Sequence, residues 1–155
     1  MIRFGTGGWR AIIGQDFICD NIRRVAAGIA ALAQEQHKTD MPVIIGYDRR
    51  FLSREAAIWF SEVMAGEGVK LYFVNLAAPT PQLMFTTKHM GLPYGAEVTA
   101  SHNPAIYNGI KLFTAGGRDA SKTVTDAIGE EANALSAEEI HSIPFDEARR
   151  QGRIT

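Results

Sequence analysis

The sequence contains a single cysteine, Cys19, which excludes an internal disulfide and any fold held together by one. It has no apolar run near the roughly 18 residues of a membrane-spanning helix, and no leading signal segment. A reduced, cytoplasmic setting is therefore expected, with no membrane partner. Charge of one sign is missing too: 16 Lys plus Arg stand against 17 Asp plus Glu, leaving a net charge of -1. Such a chain has no global field to draw it to nucleic acid, so any phosphate it binds must be held locally. With only 6 prolines, no internal repeat and no biased segment, collagen-like, coiled-coil and low-complexity readings fail. What is present is a 46% hydrophobic share, enough to build one core from 155 residues, and 15 glycines, several of them beside polar residues.

The apolar residues Ile22, Val25, Ala26, Ile29, Leu32 and Ala33 recur at three- and four-residue spacing, which predicts a helix from Asp20, its expected cap, to about Gln36. Val43 to Tyr47 is a short apolar run without polar alternation, the pattern of a strand covered on both faces. Ser53 is expected to cap a second helix through Met64, stopped by Gly66 and Gly68. A strand from Val69 to Val74, a helix from Gln82 to about Met90 and a strand from Tyr94 to Thr99 follow. Gly109 to Phe113 is a fourth extended segment, ended by the Gly116-Gly117 turn. A helix from about Ser121 to Leu135 comes next, and then a short helix behind the Ser136/Glu139 capping box. Alternating strands and helices predict an α/β fold with right-handed crossovers and helices on both faces of the sheet. Residues 1–140 form the domain. Residues 141–155, which show no clear apolar face, read as a linker toward a further domain.

Ligands of such sheets gather beyond the carboxyl ends of the strands. Here those ends carry Asp48-Arg49-Arg50, Pro79-Thr80-Pro81 and Ser101-His102-Asn103. The densest cluster is Thr99-Ala100-Ser101-His102-Asn103-Pro104, followed by Asn108-Gly109-Ile110-Lys111. Asn103 precedes a proline and is biased toward extended geometry, so this loop does not run on into a helix. An ordinary Asx- or Ser-type turn accounts for the same residues. A serine hydrolase does not fit: neighbours on an extended segment point to opposite faces, and no GxSxG elbow is present. A phosphorylated serine, in contrast, needs cationic partners, and Lys111, Arg10 and His102 are the candidates. At the amino end, Phe4-Gly5-Thr6-Gly7-Gly8-Trp9-Arg10 is a glycine-rich stretch whose N–H groups could cradle an anion, although a plain glycine turn packing Trp9 would read the same. His37, His89 and His141 have no partner at metal-ligand spacing and read as surface residues. Asp48 and Arg50 read as structural, tied to Arg54 and Glu55, and Thr80 as shaping the edge of the site.

Taken together, Phe4-Gly5-Thr6-x-Gly8-x-Arg10, Gly46-Tyr47-Asp48-x-Arg50-x-x-Ser53, Thr80-Pro81, Thr99-Ala100-Ser101-His102-Asn103-Pro104 and Asn108-Gly109-Ile110-Lys111 resemble the α-D-phosphohexomutase family, which includes phosphoglucomutases and phosphomannomutases. The resemblance covers the first of the family's four domains. With the periodicity, it implies a three-layer α/β/α domain with a mixed, largely parallel sheet. It further implies that Ser101 is a phosphoserine exchanging its phosphoryl group with a hexose phosphate, through a hexose 1,6-bisphosphate that also acts as activator. His102, Lys111 and Arg10 would join Ser101 in catalysis, and Thr6, Gly8 and Asn103 would bind substrate or phosphate. The serine phosphate would supply one ligand to Mg²⁺. Gly7 stands where many family members have Asp or Ser, and Trp9 where the phosphoglucosamine branch usually has Ile, which leans toward glucose or mannose. The family's Asp-Gly-Asp-Gly-Asp metal loop, Gly-Glu-x-Ser-Gly sugar loop and terminal phosphate loop occur nowhere in the chain. The chain alone is therefore expected to be inactive, its nearest partners being the missing domains. Phosphoglucosamine mutase, or a non-catalytic phosphate- or partner-binding domain of the same fold, are the alternatives.

Overall fold

The computed structural model describes residues 1–5 and 7–155. Its core begins with β3 (Val43–Tyr47) and β5 (Tyr94–Val98), in which every residue is buried. These are parallel neighbours, and β4 (Leu71–Phe73) adds a further parallel strand at one edge. On the other side the sheet turns antiparallel: β6 (Tyr107–Thr114) pairs with β5, β2 (Gly8–Ile12) with β6, and β1 (Phe4–Gly5) with β2. The order is β1-β2-β6-β5-β3-β4, with β7 (Arg118–Asp119) pairing with the far end of β6. The sheet is mixed, as expected, but its parallel share stops at three strands. The amino-terminal glycine stretch, read as a loop, instead supplies two antiparallel strands. Its strands are too short and glycine-rich to show a two-residue period.

The side chains alternate between two layers. Val43, Ile45, Ala96, Val98, Ile110 and Leu112 belong to the larger core, beneath α1 (Cys19–Glu35), α2 (Ser53–Gly66) and α4 (Lys122–Ala134). Ile44 and Phe113 face the other way, against Leu83 of α3 (Thr80–His89). This is a three-layer α/β/α domain in which a ten-residue helix is the regular helix of the second face among the described residues. That helix packs on β3, β5 and β6. By register, Gly8, Arg10, Glu97, Gly109 and Lys111 share its face of the sheet.

Several helix ends differ from expectation for identifiable reasons. Ile18, not Asp20, occupies the cap of α1, and Asp20 sits in the first turn, where a carboxylate complements the helix dipole. Ser53 does not cap α2. Its hydroxyl is committed to Asp48 Oδ1 at 2.7 Å, and Leu52 takes the cap position with φ of 63°. The Ser136/Glu139 capping box is present, but the turn it opens, Ala137–Glu139, is 3-10.

Residues 141–155, expected as a linker toward a further domain, lie folded on this one. A short helix, α5 (Phe145–Arg150), packs on α2, with Ala148 fully buried and the Phe145 ring 4.9 Å from that of Phe73. Leu71 N–H then donates to the Arg153 carbonyl and Thr155 N–H to the Leu71 carbonyl, both at 2.9 Å, so the last residues run parallel to β4 along the sheet edge. Three packed apolar residues, Phe145, Ala148 and Ile154, spread over ten positions leave no periodicity to read. Among the described residues, no helix is long and apolar enough to cross a membrane. His37, His89 and His141 are exposed.

Candidate active site

The strand end of β5 leads into a turn closed by Asn103 N–H on the Ala100 carbonyl, at 3.0 Å. Ser101 occupies this turn with φ of 55°, a left-handed conformation that costs a β-substituted residue about 1–2 kcal/mol. Neighbouring groups hold it there. Ser101 N–H donates to Thr99 Oγ1 at 3.1 Å, and Thr99 Oγ1 donates in turn to Asp48 Oδ2 at 2.7 Å. Because the backbone reverses at Ser101, its Oγ lies 3.3 Å from His102 Nδ1, and the two side chains do not diverge as an extended segment would require. Among the described residues no carboxylate pairs with His102, so the dyad lacks the orienting acid of a hydrolase triad.

Arg50 secures the loop from below. One guanidinium nitrogen donates to the Pro104 and Tyr107 carbonyls, both at 3.1 Å; another donates to the Ser101 and Asn103 carbonyls, at 2.9 and 2.7 Å. Its Nε lies 3.3 Å from Asp48 Oδ2. The structural role expected of Asp48 and Arg50 is therefore directed at the serine loop rather than at Arg54 and Glu55. Arg50→Ala is expected to leave four loop carbonyls unpaired and to cost on the order of 3 kcal/mol. Arg50→Lys should recover little of this, since a single ammonium cannot reproduce the fork. Urea unfolding of the three proteins measures both effects, and equal midpoints for all would contradict the clamp.

A cleft of about 520 Å³ opens above this loop and brings together Ser101, His102, Asn103, Gly8, Arg10 and Lys111, with Arg3 and Asp119 on its wall. Thr6 lies outside the described residues. Gly8 has φ of +146°, and a Cβ there would stand 2.7 Å from Arg10 Nη1 and 2.6 Å from the Ile110 carbonyl oxygen. The missing side chain is what lets the guanidinium lie over the strand next to Lys111. Burial, and secondarily Arg50, lower the pKa of Arg10, which stays charged. Lys111 Nζ is held by Asp119 Oδ1 at 3.0 Å.

Glu97, which the sequence motifs leave without a role, lies buried on β5 directly opposite Lys111 and accepts a hydrogen bond from the Thr80 hydroxyl. Thr80, expected at the edge of the site, holds this carboxylate and is not among the residues that line the cleft. A signal exists in the sequence: one acidic residue in a strand whose other members are apolar or glycine. Asp119 has none, because the two-residue β7 carries no pattern. Burial pushes Glu97 up to about 7; nearby Asp48 adds to this, while the Thr80 hydrogen bond, Lys111 and Arg10 oppose it. A folded pKa above the unfolded one means the native state binds more protons between the two values, so this group's contribution is fully present below about 4.5 and is lost as pH rises to about 7. Glu97→Gln, which can still accept from Thr80, is expected to flatten that part of the stability–pH curve and to exceed the parent at pH 8 by on the order of 3 kcal/mol. Parallel curves for the two proteins would show that the carboxyl titrates normally.

An α/β/α domain that gathers cations around a strained serine at its strand ends has the character of a phosphomutase domain. The family description "Phosphoglucomutase/phosphomannomutase, alpha/beta/alpha domain I" matches residues 1–139, and the chain belongs to that family. A phosphoglucomutase of Staphylococcus haemolyticus is 35% identical over 138 residues, covering 86% of this chain and 25% of that protein. A phosphoglucosamine mutase of Corynebacterium urealyticum is 34% identical over 137 residues, 87% of this chain and 30% of its own. A solved structure from Thermus thermophilus, named as a phosphomannomutase, superposes with a TM-score of 0.83 at 32% identity, over 92% of this chain and 32% of that one. The chain therefore spans about a quarter to a third of the proteins it matches. The relatives' names are those of phosphomutases, a class of isomerases that act in carbohydrate metabolism.

Proposed function

We propose that this chain is the serine-phosphate domain of a phosphoglucomutase/phosphomannomutase, interconverting hexose 1-phosphate and hexose 6-phosphate by way of hexose 1,6-bisphosphate. The observation that carries the reading is the convergence of Ser101, His102, Arg10 and Lys111 on one cleft. When the Ser101 phosphate is transferred, the Oγ–P bond breaks, a bond forms from phosphorus to a sugar hydroxyl oxygen, and the hydroxyl proton ends on the departing Ser101 Oγ. His102, whose Nδ1 lies 3.3 Å from Ser101 Oγ, is the group placed to carry that proton, while Lys111, an ammonium paired with Asp119, keeps its charge. Arg10 and Lys111 neutralise the phosphoryl oxygens, which is the larger share of catalysis in a transfer dominated by charge and position. Gly8 lets backbone and guanidinium approach them, and Asn103 and Thr6 complete the proposed phosphate contacts. Reverse transfer from the bisphosphate rephosphorylates the serine.

Mg²⁺ would meet this chain at the Ser101 phosphate. Among the described residues no group of three or more His, Cys, Asp or Glu could hold a metal, and Asp48 and Asp119 are committed to Arg50 and Lys111. One phosphate oxygen does not make an octahedral site. The chain thus contributes a ligand rather than a metal centre, and the isolated domain is expected to be inactive. The phosphoglucosamine mutase relative keeps an amino-sugar phosphate as a second substrate reading.

The test is to express the chain with the coding sequence that follows Thr155, incubate it with glucose 1,6-bisphosphate and Mg²⁺, and map phosphate by intact mass and peptide sequencing. Phosphate on Ser101, with turnover of a hexose 1-phosphate, is expected. A stop codon directly after Thr155, or a longer protein that never acquires phosphate on Ser101, would overturn the mutase reading in favour of a binding domain.

A further inference from the structure

Beneath the cleft lies a carboxyl group that the phosphoryl chemistry does not call for. Glu97 is 1% exposed, and its strand is the one that delivers the serine loop. Its cross-strand neighbour is Lys111, and Arg10 shares its face of the sheet. It makes no ion pair with either among the described residues: Lys111 is held by Asp119, and Arg10 Nη1 by the Trp9 carbonyl at 3.1 Å. Glu97 therefore sits close enough to both cations to feel their charge, while a hydroxyl, not a cation, holds its Oε2.

We propose that Glu97 is a proton-exchanging counterion for the serine cleft, partly ionised and balancing Arg10 and Lys111 when Ser101 is bare and a neutral acid when Ser101 carries phosphate. This rests on the phosphoserine reading. Two effects act in the same direction. A phosphate of charge near −2 on Ser101 repels a second anion in a poorly hydrated place. It also draws Lys111 and Arg10 toward its own oxygens, withdrawing the attraction that keeps Glu97 ionised. Already held at about 7, the carboxyl needs only a modest push to be protonated throughout the neutral range. The charged groups acting on Glu97 come from both sides of its strand: Asp48 beyond β3, Lys111 on β6 and Arg10 on β2. α3 presents Thr80 and no acidic residue in its first turn. Departure of the phosphoryl group then releases the proton, and the cleft's charge changes by less than the phosphate's own.

The measurement is carbon-13 NMR of the Glu97 carboxyl across the pH range, in the chain with Ser101 and in the same chain with phosphoserine installed at position 101 during translation. The Ser101 form is expected to titrate near neutrality, and the phosphoserine form higher by about one pH unit or more. Because Glu97 is already neutral where the phosphate itself titrates, the phosphorus-31 midpoint of the phosphoserine should be nearly the same in Glu97→Gln. Identical Glu97 midpoints in the two forms, or titration at an ordinary carboxylate pH, would overturn the proposal, and a purely structural Glu97 would give one of those results. The wild-type comparison decides the matter even if Glu97→Gln fails to fold. Because the phosphate is installed by translation, failure of a sugar bisphosphate to phosphorylate Ser101 would sink the mutase reading without disturbing this measurement.

Discussion

Ser101→Ala in the extended protein is expected to abolish both phosphate capture from glucose 1,6-bisphosphate and mutase turnover, while leaving the fold's stability within about 0.5 kcal/mol of the parent. The asymmetry follows from what the side chain touches. Ser101 is exposed, and its hydroxyl meets only His102 Nδ1 among the described side chains, at 3.3 Å. The turn is built from backbone and from Thr99, Asp48 and Arg50, none of which alanine disturbs. Alanine also inherits the left-handed φ of 55°, so the strain persists and only the nucleophile goes. Ser101→Gly provides the control. It removes the same oxygen but relieves the backbone, and it should exceed the alanine variant in stability by up to about 1 kcal/mol. Thermal unfolding of both, beside phosphate mapping, separates the chemical role from the conformational one. Residual phosphate capture in either variant would place the acceptor elsewhere.

The division between what was legible in the sequence and what was not follows the range of the interactions. α1 and the paired strands β3 and β5 could be read because their apolar patterns are long or unbroken, and burial of those patterns decides the structure. The tail could not: Phe145, Ala148 and Ile154 are buried or half-buried through partners on α2 and β4, some eighty residues away in sequence, with no period of their own. In the site, the serine loop stood out by composition. The antiparallel turn of the sheet did not, yet it sets Lys111 opposite Glu97 and Arg10 opposite Gly109. The partners of Arg50 are not legible in its neighbours Arg54 and Glu55, because one guanidinium answering four carbonyls some fifty residues away is a three-dimensional fact.

Gly109→Ala should be among the most damaging single methyl additions in the domain, costing about 3 kcal/mol or more. Gly109 lies where three strands meet around the site. Its N–H donates to Asn108 Oδ1 at 2.8 Å, its carbonyl accepts from Thr99 N–H at 3.0 Å, and it faces Arg10 across the antiparallel pair. A Cβ there would overlap the Trp9 carbonyl oxygen and crowd Arg10 Cα at 3.1 Å. Those atoms are backbone, so no rotamer change relieves the clash, and β2 must move away from β6. Trp9 is buried in the main core and Arg10 lines the cleft, so the displacement should cost stability and phosphate affinity together. Hydrogen exchange should then show lost protection confined at first to Gly8–Ile12 and its partners on β6, with β3 and β5 still protected. If the variant unfolds altogether, the expected sign holds and the exchange pattern is read instead from Gly8→Ala, which crowds Arg10 Nη1, a movable group, as well as the Ile110 carbonyl. An unchanged unfolding midpoint in Gly109→Ala would mean that β2 can leave β6 at little cost, and the close packing of the cleft's cations could not then be what the glycines provide.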